Sequence, residues 1–375
     1  SKEDFMAGRY ALSGDSLATV SNEGTITAQG TGGQNGFIAL VAARVINKGT
    51  LNALAGNVAL TAANNVLLDL GGPLKIEVKQ GAIDALIEQG GAIRANGGTI
   101  YLTAQAANEL STSAINVSGV VQADTLGANE QGKIVLTASG SINVSGNIQA
   151  TGLHGGTISV QAPQVAITAG HLDASGTQQG GTIQVLALQQ ENGDVGVPHR
   201  IDIAEDVVLN TSATHIGNGG VIDVISELTD EDGLSRVAGT LLSKGGAVQG
   251  DGGQMEVSGY KVDLAGIRID ALAPNGRAGN LLIDPYDITI STAADNASAG
   301  FTATGSGATI NTTTLQNALA GANVTVYTGD SGTETGNITV NSTIAWSANT
   351  TLTLDAANSV IVNSSITNSG SGSGL

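Results

Sequence analysis

GGTISVQA begins at Gly155, and GGTIQVLA begins at Gly180, 25 residues later. A chain that repeats a five-residue alternation of apolar and polar residues at that spacing is building one structural unit again and again. Self-similarity at a fixed period of ~20–50 residues is the mark of a solenoid or a propeller. The phrase Gly-x-[Ile/Val/Leu]-x-[Leu/Val] recurs as GFIAL (36–40), GNVAL (56–60), GTIYL (98–102), GKIVL (132–136), GTISV (156–160), GTIQV (181–185), GVIDV (220–224) and GQMEV (253–257). GNLLI (279–283) and GNITV (336–340) are looser late copies. The shortest spacings are 20, 24, 25 and 26 residues, and the longer ones fit a coil plus an insertion, or two coils.

A second phrase alternates with the first: GTITA (24–28), GTLNA (49–53), GAIRA (91–95), GVVQA (119–123), GNIQA (146–150) and GHLDA (170–174). A third set fills the gaps, as in VLLDL (66–70), VAITA (165–169) and VVLN (207–210). Each run alternates with period two, which is a half-buried strand. A propeller blade would need four strands per ~40–45 residues. Two or three short strands per coil fit a parallel β-helix, its coils stacked ~4.8 Å apart. The expected fold is all-β, a parallel β-helix of about a dozen to fifteen coils and roughly 60–70 Å long. The glycines are expected at tight corners, where positive φ is often required.

Composition agrees. Aromatics are 2 % of the chain, yet apolar residues are 41 %, carried by Ala, Val, Ile and Leu, which stack in a narrow interior where wide rings do not repeat. Gly is 54 of 375 residues and Pro only 5. The net charge of −18 disfavours nucleic acid and anionic membrane surfaces, since both need Lys and Arg to displace counterions. No cysteine is present, so disulfides, thiolate zinc sites and cysteine nucleophiles are excluded. No apolar run approaches the length that spans a bilayer, and no membrane insertion is expected.

Insertions break the rhythm at about 71–90, 188–206, 226–238 and 312–323. AIDALIEQ (82–89) reads as two helical turns, and TTTLQNALAGAN (312–323) as a short helix with a Thr cap, ended at Gly321. The first three are candidate recognition loops, because solenoid insertions lie outside and carry binding. Glu227, Asp230, Glu231 and Asp232 offer hard oxygen ligands for calcium. They lack EF-hand spacing, and a solvated acidic loop is the other reading. Trp346 is the sole tryptophan; outward it would stack a sugar ring, inward it would pack under a loop. His154, His171, His199 and His215 show no metal spacing. Asn-x-Ser/Thr sequons recur from Asn116 to Asn363, read either as glycan acceptors or as ordinary turn and outer-face residues.

Asp173, Asp223, Glu256 and Asp263 lie on strand-like runs and are the candidates for the two carboxylates of a polysaccharide lyase or hydrolase. Sugar-cleaving clefts also carry aromatic platforms and basic groups, which are sparse here, so no enzyme activity is expected. No catalytic residue, metal ligand or cofactor is assigned; calcium stays open.

Several stretches resemble the exoproteins of two-partner secretion, the filamentous haemagglutinin and high-molecular-weight adhesin family. They are DFMAGRYAL with the run up to VLLDL (4–70), GDGGQMEVSGYKVDLAG (250–266), GRAGNLLIDPYDITIS (276–291) with its Leu282-Ile283-Asp284-Pro285, and NALAGANVTVYTGDSGTETGNITVNSTIAWSANTTLTLDA (317–356). The resemblance implies a right-handed parallel β-helix, in keeping with the crossover rule. It implies export from a Gram-negative bacterium through an outer-membrane β-barrel transporter, engaged by an amino-terminal secretion domain. That domain, with its Asn-Pro-Asn-Gly type motifs, is expected to lie outside this chain, a single rod over 1–375 cut from a longer exoprotein. The work implied is adhesion at the cell surface or in a biofilm, to exopolysaccharide or host glycan. The alternatives are a spacer, a rod that binds a protein receptor or haem carrier, or a self-associating rod.

Overall fold

The repeated phrase is a strand, and its copies stack. The computed structural model describes residues 2–30, 36–69, 75–108, 111–125, 132–186, 188–189, 195–196, 199–228, 232–285, 288–295, 308–328 and 336–370. Nearly all strand pairing among these is parallel, between coils rather than within them, and it forms three long faces. The first face has nine strands, from Thr19–Asn22 to Lys261–Asp263; the second has nine, from Thr25–Thr27 to Arg268–Asp270; the third has eleven, from Phe37–Ala42 to Leu352–Ala356. This is a parallel β-helix.

The nine copies from GFIAL to GNLLI all fall on the third face, and the six copies of the second phrase all fall on the second. The late copy GNITV departs: Asn337–Val340 lies beyond the end of the first face, and Asn323–Thr328 takes the third-face place instead. Register keeps like over like. Ile100 lies between Val58 and Ile134, Leu102 between Leu60 and Leu136, and Ala104 between Ala62 and Ala138. All of these side chains are fully buried. At roughly 25 cal/mol per Å² such columns supply most of the driving force, and period two sends the polar partners outward.

The recurring glycines have a different cause from the expected one. Few of them take positive φ; Gly170 and Gly217 do, but Gly98, Gly156, Gly181 and Gly220 do not. A Cβ on Gly98 would lie 1.7 Å from the Gly56 carbonyl oxygen, on Gly181 2.2 Å from that of Gly156, and on Gly220 1.9 Å from that of Gly181. The carbonyl of each coil occupies the space a side chain would need in the next.

Eleven third-face layers at ~4.8 Å give a described stack of about 50 Å, shorter than expected. The spacings of 33 to 42 residues are single coils with excursions: Asn57–Ala62 pairs directly with Thr99–Ala104 although 42 residues separate their phrases. In that interval Asn65–Asp69 and Lys75–Gln80 form an antiparallel hairpin, joined by Arg9–Ser13. It lies over the outside of the third face and buries Ala63, Val66 and Leu68 against Phe37, Ala39 and Val41. AIDALIEQ is not helical. Asp84–Gln89 is a first-face strand between Arg44–Asn47 and Thr112–Val117, with Ala85, Ile87 and Gln89 inward. Stacking on both sides overrides the helix propensity of Glu, Leu and Gln. Arg200–Ile203 and Leu234–Val237 are likewise first-face strands, so the insertions expected at 188–206 and 226–238 are shorter than drawn.

Near its far end the stack changes. Besides a short helix, α1 (Lys2–Met6), that packs on Arg9–Ser13, the chain has a helix α2 (Thr312–Gly321), which takes the place of a second-face strand between Arg268–Asp270 and Ile344–Trp346. Its cap is Asn311, whose side chain accepts from the Thr313 amide at 2.8 Å, not a threonine. Opposite it the first face holds two strands, Ala308–Asn311 and Ile288–Ser291, the second entering out of chain order. A helix is ~10 Å across with its side chains, which is about two strand layers, so the additional strand fills the same height. Only the third face runs through without a break in its described ladder, by way of Asn280–Asp284, Asn323–Thr328 and Leu352–Ala356.

Candidate binding surface

The outward residues of the third face form columns along the stack. Ser159, Gln184, Asp223 and Glu256 are in register on consecutive strands. Beside them run Thr157, Thr182, Val221, Gln254, Asn280 and Asn323. Neighbours hold one another: Gln184 Nε2 donates to Asp223 Oδ2 at 3.0 Å, Asn280 Nδ2 to Gln254 Oε1 at 3.1 Å, and Asn323 Nδ2 to Asn280 Oδ1 at 3.2 Å. Asn143 donates to Asn116 at 3.0 Å on the first face, and Asn363 to Asn341 at 2.9 Å near the far end. Several sequon asparagines thus bridge coils. These surfaces present amides, hydroxyls and carboxylates at each layer, the groups that hydrogen-bond sugar hydroxyls.

The four candidate carboxylates do not converge. Asp173 is on the second face, where it accepts from Asn210 at 3.2 Å and from the Ser175 amide at 2.9 Å. Asp263 is on the first face, 3 % exposed. Asp223 and Glu256 are neighbours on one open ladder, and Glu256 accepts from Ser258 Oγ at 2.7 Å. Two like charges side by side on a sheet face repel, a cost of a few tenths of a kcal/mol up to about 1 kcal/mol.

Of the acidic loop, Asp230 and Glu231 lie outside the described residues. Glu227 is half-buried and its carbonyl accepts from the Tyr260 amide at 2.7 Å; Asp232 is exposed. Among the described residues no group of three or more His, Asp or Glu side chains is placed to hold a metal ion. His154 pairs in register with Gln179 on a short ledge between the second and third faces, while His171 lies on the second face, so they do not meet. Trp346 turns inward, 7 % exposed, with Nε1 donating to the Thr350 carbonyl at 3.2 Å. The indole is core beside α2 and presents no ring face to a sugar, which corrects the stacking role. The recognition loop expected at 71–90 holds a strand of the outer hairpin and a core strand, with 70–74 outside the described residues.

Outward strand faces rich in Thr, Ser, Asn and Gln, with Asp223 and Glu256 outward on neighbouring coils, are legible in the sequence; which residues share a column appears when the copies are laid one beneath another. In GTIQV, GVIDV and GQMEV the fourth position reads Gln184, Asp223, Glu256.

Fold and surface together define a class: an acidic β-solenoid with laddered polar faces. One solved structure with the same fold is the crystal structure of the HMW1 secretion domain from Haemophilus influenzae, 21 % identical, with a TM-score of 0.53 over 74 % of this chain and 72 % of that one. At that identity the likeness is one of fold. No protein-family profile matches the sequence, and no curated protein is similar to it at a significant level. No described helix is long and apolar enough to cross a membrane.

Proposed function

We propose that this chain is the β-helical stalk and recognition region of a secreted bacterial adhesin of the two-partner-secretion type, and that it binds carbohydrate. The observation that carries the reading is the third-face track of Gln184, Asp223 and Glu256 beside Gln254, Asn280 and Asn323. An extended glycan lying along the stack would meet one set of polar groups per layer, and many weak contacts in register add up through multivalency. The family resemblance and the shared fold with a secretion domain support export through an outer-membrane β-barrel partner and residence at the cell surface. A secreted rod with a net charge of −18 suits neutral or cationic glycans better than acidic ones.

The test is binding of the 375-residue chain to bacterial exopolysaccharides and host glycans, with and without calcium. Saturable binding to one glycan class, weakened by the double change Asp223→Asn and Glu256→Gln or by Asn280→Ala, is the expected result. Silence across the set from folded protein overturns it in favour of a spacer or a protein-binding rod. Release of reducing or unsaturated sugar ends would make the chain an enzyme instead.

A further inference from the structure

From Ile288 to Gly329 the sequence holds one charged residue, Asp295. It is 7 % exposed, and it ties down the start of α2: the Asn311 amide donates to Oδ1 and Thr314 Oγ1 to Oδ2, both at 2.6 Å. Asn311 in turn donates to the Thr292 and Ala293 carbonyls at 3.2 and 2.8 Å. Asp295 therefore fastens the helix and the out-of-order strand to each other. Across the break in the first face stands Asp263, the last residue of Lys261–Asp263, packed against Ala308–Asn311 without a described ladder between the two strands.

Asp263 accepts from the Ala265 amide at 3.0 Å and faces Arg236 at 3.4 Å. The other charged groups around it are Asp202, in register beyond Arg236 and paired with Arg200 at 3.1 Å, and Asp295 itself. From the far side, the strands at 288–291 and 308–311 and helix α2 carry no charge of their own, and Asp295 is the one charged residue among the described residues from 288 to 328. Among the described residues the parallel ladder crosses this level on the third face alone. Two buried carboxyl groups thus lie on either side of the break in the first-face ladder, Asp263 before it and Asp295 after it.

We propose that the interrupted coil is a joint in the rod, and that the buried Asp263 carboxyl at its edge sets its firmness with pH, loosest when Asp263 is ionised. Burial holds the Asp263 carboxyl above the ordinary aspartate range, with the charges of Asp295 and Asp202 adding to it and the Ala265 amide and Arg236 opposing. The folded state then binds a proton more readily than the unfolded one. The stability this proton contributes at the joint is full below the ordinary aspartate range and is lost as pH rises through the raised value.

Hydrogen exchange read by mass spectrometry on the whole chain tests this, from about pH 7.5 to about pH 5, with rates corrected for intrinsic exchange. That range stays above the isoelectric point of 4.3. Protection in 308–328 should at least double on acidification in the native chain, while 132–167 in the uninterrupted stack changes less. Asp263→Asn, neutral at every pH, should hold high protection in 308–328 at both ends of the range. Arg236→Gln removes the opposing cation, so the transition should move to higher pH. It provides a second arm if the asparagine variant does not fold. Protection in 308–328 that stays flat or falls on acidification overturns the proposal. So does an Asp263→Asn chain that keeps the native pH dependence.

Discussion

At the scale of single residues the rod is governed by what will not fit. Gly220→Ala would press a methyl group into the Gly181 carbonyl, whereas Gly14 has nothing within 4 Å of its would-be Cβ. Gly220→Ala should cost about 1–3 kcal/mol in urea unfolding, and Gly14→Ala should stay within about 0.5 kcal/mol of the native chain. Equal effects would sink the close-approach account. Inside the first coils, Asn22 donates to Asn47 at 2.8 Å and Asn47 to Gln89 at 2.7 Å, an amide ladder running through the buried interior. Asn47→Ala leaves two buried amides short of a partner and should destabilise by roughly 1–3 kcal/mol for each group orphaned. A change below about 0.5 kcal/mol would mean that water replaces the missing amide.

At the scale of elements, α2 is the piece whose loss is easiest to watch, because Trp346 lies on the strand packed beside it. Asn311→Ala removes both the cap and two bonds to the 292–293 turn, and should cost about 1–2 kcal/mol, seen as an earlier shift of Trp346 emission on heating. An unchanged melt would show that the helix is held by packing alone. This level also shows how far a sequence of this kind can be read. Strand periodicity and the two phrases place the second and third faces. VAITA follows onto the first face, but VLLDL does not join the faces: it turns outward into an antiparallel hairpin. AIDALIEQ carries both a helical and a strand pattern, and only its neighbours in the stack decide between them. The polar outward faces and the placing of Asp223 and Glu256 on neighbouring coils are legible from the repeat, but the column itself is not: Gln184, Asp223 and Glu256 are far apart in the chain and their register is set across coils. Trp346 reads either way in the sequence because inward and outward positions alternate, and a one-residue slip in the preceding loop exchanges them.

At the scale of the whole molecule, stability in a stack is a sum of coils and nearest-neighbour contacts. Val360, Ile361 and Val362 on Ser359–Val362, the last strand of the four-stranded sheet beyond the first face, are more than two-fifths exposed, whereas Ile134, Ile142 and Ile148 in the middle are fully buried. Amide exchange should therefore be fastest in 359–368 and slowest in 134–167, grading along the rod. A flat profile would mean that the rod opens all at once.

The glycine columns set the terms on which such a chain can lengthen. The third-face corner glycines Gly56, Gly98, Gly156, Gly181, Gly220, Gly253 and Gly279 are each keyed to the carbonyl of the corner residue one coil before. One residue added within a strand would reverse every side chain up to the next corner and move the glycine off its carbonyl. Described excursions such as the antiparallel strands 65–69 and 75–80 and the detour that supplies the strand at 288–291 leave the chain between a strand of one face and a strand of the next. A rod built this way grows by whole coils along its axis and by ornaments at its corners, so its length and its surface can be revised independently.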